Sequence, residues 1–266
     1  MDLELKGKTA IVTGGSRGIG KAIAKELARE GVDVAIVARD KAALEAAAKE
    51  IAGNSGVRVL HYSADTGDDA AVKKMVAEVA KAFGRIDILV NCAAQAGGQA
   101  KPPALGEITN EHFWSDMNIK VMGYLRTARE VAPYMIRQKS GRIINVSGLA
   151  ARNTGTIIGS MRNVSVAALT KNLADELSPH GISAVCVHPG LTRTEKTPGV
   201  VAAQAKAQGL PEAEIEKRMA GRNLARKIIT AEEIAYVCVF AASPKAVALN
   251  GDAIAAGGGS PGVIHY

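Results

Sequence analysis

At 266 residues the chain is long enough to bury a full core, and 47% hydrophobic with 22% charged residues is ordinary for a globular fold in water. The net charge of +7 is spread along helical stretches beside acidic residues, with no basic run interleaved with aromatics, so nucleic acid is excluded as a partner. No stretch nears the ~20 unbroken apolar residues of a membrane span, and Met-Asp-Leu-Glu-Leu-Lys lacks a basic-then-apolar leader, which predicts a cytoplasmic protein off the membrane.

Short apolar runs alternate with stretches of helical period. Strands are expected at 9–13, 32–37, 57–62, 86–91, 142–146, 183–188 and 252–256. Helices are expected at 18–30, 41–51, 68–83, 110–137 and 160–177; in the third, Val72, Met75, Val76 and Val79 repeat at i, i+3, i+4, i+7. This alternation predicts an α/β fold: a single-domain, Rossmann-type doubly wound parallel sheet with helices on both faces. Aromatics are only 3% of the chain, so its core must be aliphatic, as buried parallel strands require. Cys92, Cys186 and Cys238 lie in apolar strings and predict reduced, buried thiols, with no disulfide and no metal site. Only residues 191–226 interrupt the rhythm; dense in charge and placed after a strand end, they are expected to form a lid over a site.

The site itself is announced by Thr13-Gly14-Gly15-Ser16-Arg17-Gly18-Ile19-Gly20, between the first strand and the first helix. Glycines there permit a tight path and close backbone approach, and a helix N-terminus offers free N–H groups to a phosphate. Gly14, Ser16, Arg17, Gly18, Ile19 and Gly20 are therefore expected to hold a dinucleotide. An NAD-type ribose contact would place a carboxylate at the end of the second strand, but that strand ends Val37-Ala38-Arg39-Asp40. Arg39 and Arg17 can flank a 2′-phosphate, and Asp40 is placed to cap the next helix, so NADP(H) is favoured over NAD(H).

These motifs resemble the short-chain dehydrogenase/reductase superfamily along essentially the whole chain. The turn matches its TGxxxGIG; Asp65-Thr66 sits where the family contacts adenine, and Asn91-Cys92-Ala93-Ala94 corresponds to its NNAG with the last glycine lost. The resemblance implies a proton-relay asparagine at Asn118, a catalytic serine at Ser147, and a nicotinamide-facing segment at Pro189, Gly190 and Thr192. It also implies dimers or tetramers built on the helices near 110–137 and 160–177, which carry Val121, Leu125, Val131, Val164, Ala167 and Ala168.

One segment departs from the family. Its proton-donating Tyr and the Lys one helical turn later fall on Gly159 and Asn163. A positioned general acid is worth ~10²–10⁴ in rate. Ser160 and Arg162 neighbour the gap; Arg162 could stabilise a developing anion, and Asn163 could hold the ribose as a neutral partner. Three functions stay open: an oxidoreductase with a rebuilt proton path acting on a small carbonyl or enone, anionic or neutral; a cofactor-binding pseudoenzyme or sensor; and a lyase or hydratase reusing the pocket.

Overall fold

The computed structural model describes residues 1–53, 55–94 and 103–264. The elements follow in chain order. First come β1 (Thr9–Thr13), α1 (Gly18–Arg29), β2 (Asp33–Ala38), α2 (Lys41–Ala52), β3 (Val59–Ser63), α3 (Asp69–Phe83) and β4 (Ile88–Asn91). Then come α4 (Asn110–Met117), a π-helical turn (Asn118–Met122), α5 (Gly123–Gln138), β5 (Gly141–Val146), α6 (Ile157–Leu177) and β6 (Ile182–Pro189). A short β7 (Thr192–Arg193), α7 (Thr197–Gln208), α8 (Glu212–Ala220), β8 (Ile229–Thr230), α9 (Ala231–Ala242) and β9 (Ala253–Ala256) complete the chain.

Seven parallel strands form one sheet in the order β3-β2-β1-β4-β5-β6-β9. Strands such as β1 and β6 are buried at every residue, because helices cover both faces. On one face Ile23 and Leu27 of α1, Leu44 and Ile51 of α2, and Ile234 and Cys238 of α9 pack together. On the other, Val72, Met75 and Val79 of α3, Val131 and Met135 of α5, and Leu173 and Leu177 of α6 do the same. Val131, expected on an association face, is core instead.

Local chemistry sets the helix starts. Asp40, Asp68, Thr109, Thr156 and Thr230 each accept a hydrogen bond from a backbone amide of the first turn of α2, α3, α4, α6 and α9. Thr156 moves the start of α6 to Ile157, ahead of the expected 160. The expected helix at 110–137 runs as α4, the π turn and α5.

The order of strands reverses direction between β1 and β4, which opens a crevice at their C-terminal ends. Thr13, closing β1, spans this point: its hydroxyl oxygen accepts from the amides of Cys92 (3.0 Å) and Ala93 (3.2 Å). The segment 191–226, expected from the sequence to form a lid over a site, contains α7 and α8, which share a small core of Val201, Ala205, Ile215 and Met219.

Candidate active site

A cleft of about 1110 Å³ runs over the C-terminal ends of β1, β2, β4, β5 and β6. Its first wall is the glycine turn. Gly14 has φ +69°, and a Cβ there would lie 2.9 Å from the Cys92 carbonyl oxygen; one at Gly20 would lie 2.3 Å from the Gly14 carbonyl oxygen. Only glycine allows the turn to close against β4 and α1 to start beside it. The amides at the start of α1 then face the cleft with the positive end of the helix dipole.

That end is held by a carboxylate from the chain itself. Glu195 Oε2 accepts from Gly18 N at 3.0 Å, and Oε1 lies 3.1 Å from Lys21 Nζ. Burial opposes ionisation of Glu195, but backbone amides, Gly18 among them, and the Lys21 ammonium outweigh it and hold the carboxyl below its ordinary range. An anion at this helix end is what the cradle is built to receive, so the residues fit a dinucleotide pyrophosphate.

Gly14, Ser16, Arg17, Gly18, Ile19, Gly20, Arg39, Asp65, Thr66, Ala93, Asn163, Pro189, Gly190 and Thr192 all line the cleft. Asp40 lines it too, but its carboxylate is committed to Ala43 N at 3.1 Å as the cap of α2. Asn91 takes another place: fully buried, it donates to Asn145 Oδ1 at 3.0 Å and meets the Thr127 hydroxyl at 2.6 Å, in a polar network beneath the cleft floor.

At the far end lie Ser147, Arg162 and Asn163. The Ser147 hydroxyl donates to the Asn163 carbonyl oxygen at 2.9 Å, which commits its proton. Arg162 Nη1 donates to both carboxylate oxygens of Asp116, at 2.6 and 2.8 Å, and its Nε is buried without a hydrogen-bond partner. Ser160, in the first turn of α6, and Asn118 are not among the residues that line the cleft. The Asn118 side chain instead donates to the Gly67 carbonyl (3.3 Å) and accepts from Arg126 Nη2 (2.8 Å). Two residues along, Lys120 takes the inward place. Its Nζ donates to the Ser147 carbonyl at 2.9 Å and to Asn163 Oδ1 at 3.0 Å. Among the described residues no tyrosine lines the cleft.

Sequence reasoning passed over Lys120, although a signal was there. Lys120, Tyr124, Thr127, Ala128, Val131 and Met135 share one helical stripe, and the other five are buried. A lysine on an apolar stripe marks either a satisfied core amine or a site. Burial first, and the nearby Arg162 cation second, push this lysine down to about 7. Cys92, beside the turn, is pushed up to about 12 by burial, which makes it an inert thiol. His188 is buried in β6, 3.8 Å from Cys186 Sγ.

The doubly wound sheet, the glycine cradle at its switch point and the cleft above define a nicotinamide-dinucleotide-binding protein of the Rossmann class. The short chain dehydrogenase family matches residues 8–205, and the chain belongs to that family. It is 34% identical over 253 residues to the short-chain reductase protein NovJ of Streptomyces niveus, covering 95% of this chain and 93% of that one. L-sorbose reductase from Gluconobacter frateurii, solved with NADPH and L-sorbose, superposes with a TM-score of 0.91 at 30% identity, covering 99% and 100%. A xylitol dehydrogenase bound to NAD+ reaches a TM-score of 0.86 at 27% identity over 96% and 100%. Among the described residues no helix is long and apolar enough to cross a membrane.

Proposed function

We propose that the chain is an NADP(H)-preferring oxidoreductase that reduces a small carbonyl or activated C=C compound in a cleft without the usual phenol. The observation that carries the reading is the cradle at the start of α1 with Arg17 and Arg39 lining the same cleft, while Asp40, the carboxylate that follows Arg39 at the end of β2, is spent on a helix cap. When bound, the dinucleotide supplies or accepts a hydride. The chain's own residues do the rest: the turn holds the pyrophosphate, Arg17 and Arg39 neutralise a 2′-phosphate, and Asp65 and Thr66 border the adenine end.

Gly159 leaves the tyrosine position without a side chain, and a Cβ there would lie 2.5 Å from Thr156 Oγ1, the cap of α6. Residues 191–226 act as the lid, with Glu195 and Lys196 at the cleft mouth. Homo-oligomers form through α4 and α6, where Trp114, Met161 and Val164 are exposed. Titration calorimetry with NADPH and NADH, and NADPH consumption across a panel of small ketones, keto acids and enones, test the reading. Arg39→Ala should weaken NADPH binding about tenfold or more through loss of a charge-assisted contact and leave NADH binding unchanged. Equal loss for both dinucleotides would remove the NADP preference.

A further inference from the structure

We propose that Lys120 is the acid–base residue of this cleft, its ε-amino group giving a proton to the substrate oxygen during reduction and recovering it in the reverse direction. The inference rests on the oxidoreductase reading and adds the proton donor that reading lacks.

Three observations carry it. Lys120 is 4% exposed, yet among the described residues no carboxylate lies within ion-pair distance of its amine. A buried lysine is ordinarily matched by an anion, because an uncompensated ammonium is costly to desolvate. Its two partners, the Ser147 carbonyl and Asn163 Oδ1, are neutral acceptors. They use two N–H bonds, so the third vertex of the nitrogen carries a proton in one state and a lone pair in the other. A group held by neutral acceptors can therefore change state without breaking either hydrogen bond.

The largest charge effect on the amine, from Arg162, acts in the same direction as burial, and Asp116 opposes it more weakly. Arg162 of α6 is the cation that faces it, and Asp116 of α4, the anion on that side, already accepts from Arg162 Nη1 with both oxygens. Cys92 after β4 and Cys186 of β6 complete the surroundings, both pushed far enough up by burial, to about 12 and about 11, to be neutral thiols near pH 7. The Tyr124 hydroxyl, one turn along, donates to the Val146 carbonyl at 2.9 Å. With burial and Arg162 holding it at about 7, the amine exchanges a proton near neutral pH, where general acid–base catalysis is most effective.

The proton balance closes. As hydride reaches the carbonyl carbon, the C=O π pair moves on to oxygen. That oxygen takes a proton from the Lys120 ammonium, whose N–H electrons stay on nitrogen, and the amine is returned to the ammonium by a proton from the buffered bulk solvent. Arg162 cannot take this role, since a guanidinium does not release its proton.

The test separates this role from a structural lysine that merely ties Ser147 to Asn163. Competitive acetylation of the intact protein with acetic anhydride, read peptide by peptide by mass spectrometry from pH 5 to 10, gives each lysine's titration midpoint without any turnover. A Lys120 midpoint within about one unit of 7, at least two units below the exposed lysines, is expected. A midpoint above about 8, or no labelling at any pH, overturns the proposal. In parallel, Lys120→Met should lose about 10²–10⁴ in kcat on the panel compound that the unaltered chain reduces fastest, with the NADPH Kd kept within threefold. Lys120→Gln, which can still donate to both acceptors, should lose as much, and Lys120→Arg should not rescue the rate. Full activity in either neutral variant, with the neutral-pH inflection of kcat retained, overturns the acid–base role. Absence of NADPH binding by the unaltered chain would instead remove the underlying reading, and it is told apart because the labelling midpoint does not depend on it.

Discussion

If the α1 terminus holds the dinucleotide phosphate as proposed, Glu195 competes with it for the Gly18 amide. The carboxylate accepts from Gly18 N and pairs with Lys21, so an incoming pyrophosphate must displace it from the α1 terminus. A charge at an exposed helix end is worth ~0.3–1 kcal/mol, so Glu195→Gln should tighten dinucleotide binding about two- to fivefold, measured by calorimetry. Acid is a poorer probe. The Glu195 carboxyl is held below its ordinary range, so its contribution is present above the unfolded carboxylate pKa and lost only as pH falls through the still lower folded value. Affinity should therefore show no Glu195 inflection between pH 6 and 8. Weaker binding in the Gln variant would mean that Glu195 supports the bound state rather than opposing it. This contact could not be read from the chain, because Gly18 and Glu195 are 177 residues apart and no local rule joins them. Asp40 was readable for the opposite reason: its partner is three residues away.

The elements were legible wherever their signal was local. Strands of β-branched residues, helices with a 3.6-residue stripe and caps such as Asp68 gave boundaries within a few residues. The π turn at Asn118–Met122 was not, since an i→i+5 turn leaves the apolar stripe of α5 unchanged and depends on what packs around it. The cost of missing it fell on the site. It is Lys120, not Asn118, that lies on the stripe of α5 and reaches Ser147 and Asn163. Asn118 goes to the Arg126 guanidinium, which also bonds Asp69 and the carbonyls of Thr66 and Asn118. Asn118→Ala should then behave as a stability variant. Removing an acceptor from a nearly buried guanidinium costs about 1–3 kcal/mol in a denaturant melt, while the NADPH Kd and the pH profile of turnover stay as they were. A shifted pH profile with unchanged stability would return Asn118 to the proton path.

At the scale of the whole molecule the cleft collects the ends of elements that are far apart in sequence. The turn after β1, Arg39 after β2, Ala93 after β4, Ser147 after β5 and Pro189 with Gly190 at the end of β6 border one volume. The sheet order that gathers them was legible, because alternating strands and helices with right-handed crossovers leave few arrangements. That Lys120 reaches Ser147 and Asn163 was not, because it depends on which helix from elsewhere packs beside β5 and α6. A ligand spanning this cleft contacts both sides of the switch point as well as the segment after β6, so its binding energy enters global unfolding rather than one loop's order. At a hundredfold excess over Kd that linkage is worth ~2.7 kcal/mol, which for a chain of this size corresponds to a rise in Tm of roughly 5–10 °C. NADPH should give the larger shift and NADH the smaller in scanning fluorimetry. Lys120→Met should keep the shift, because the proton donor is not part of the phosphate cradle; Arg17→Ala with Arg39→Ala should reduce the NADPH shift to that of NADH. If neither dinucleotide moves Tm in the unaltered chain at millimolar concentration, the cradle does not close on a nicotinamide dinucleotide, whatever the family resemblance.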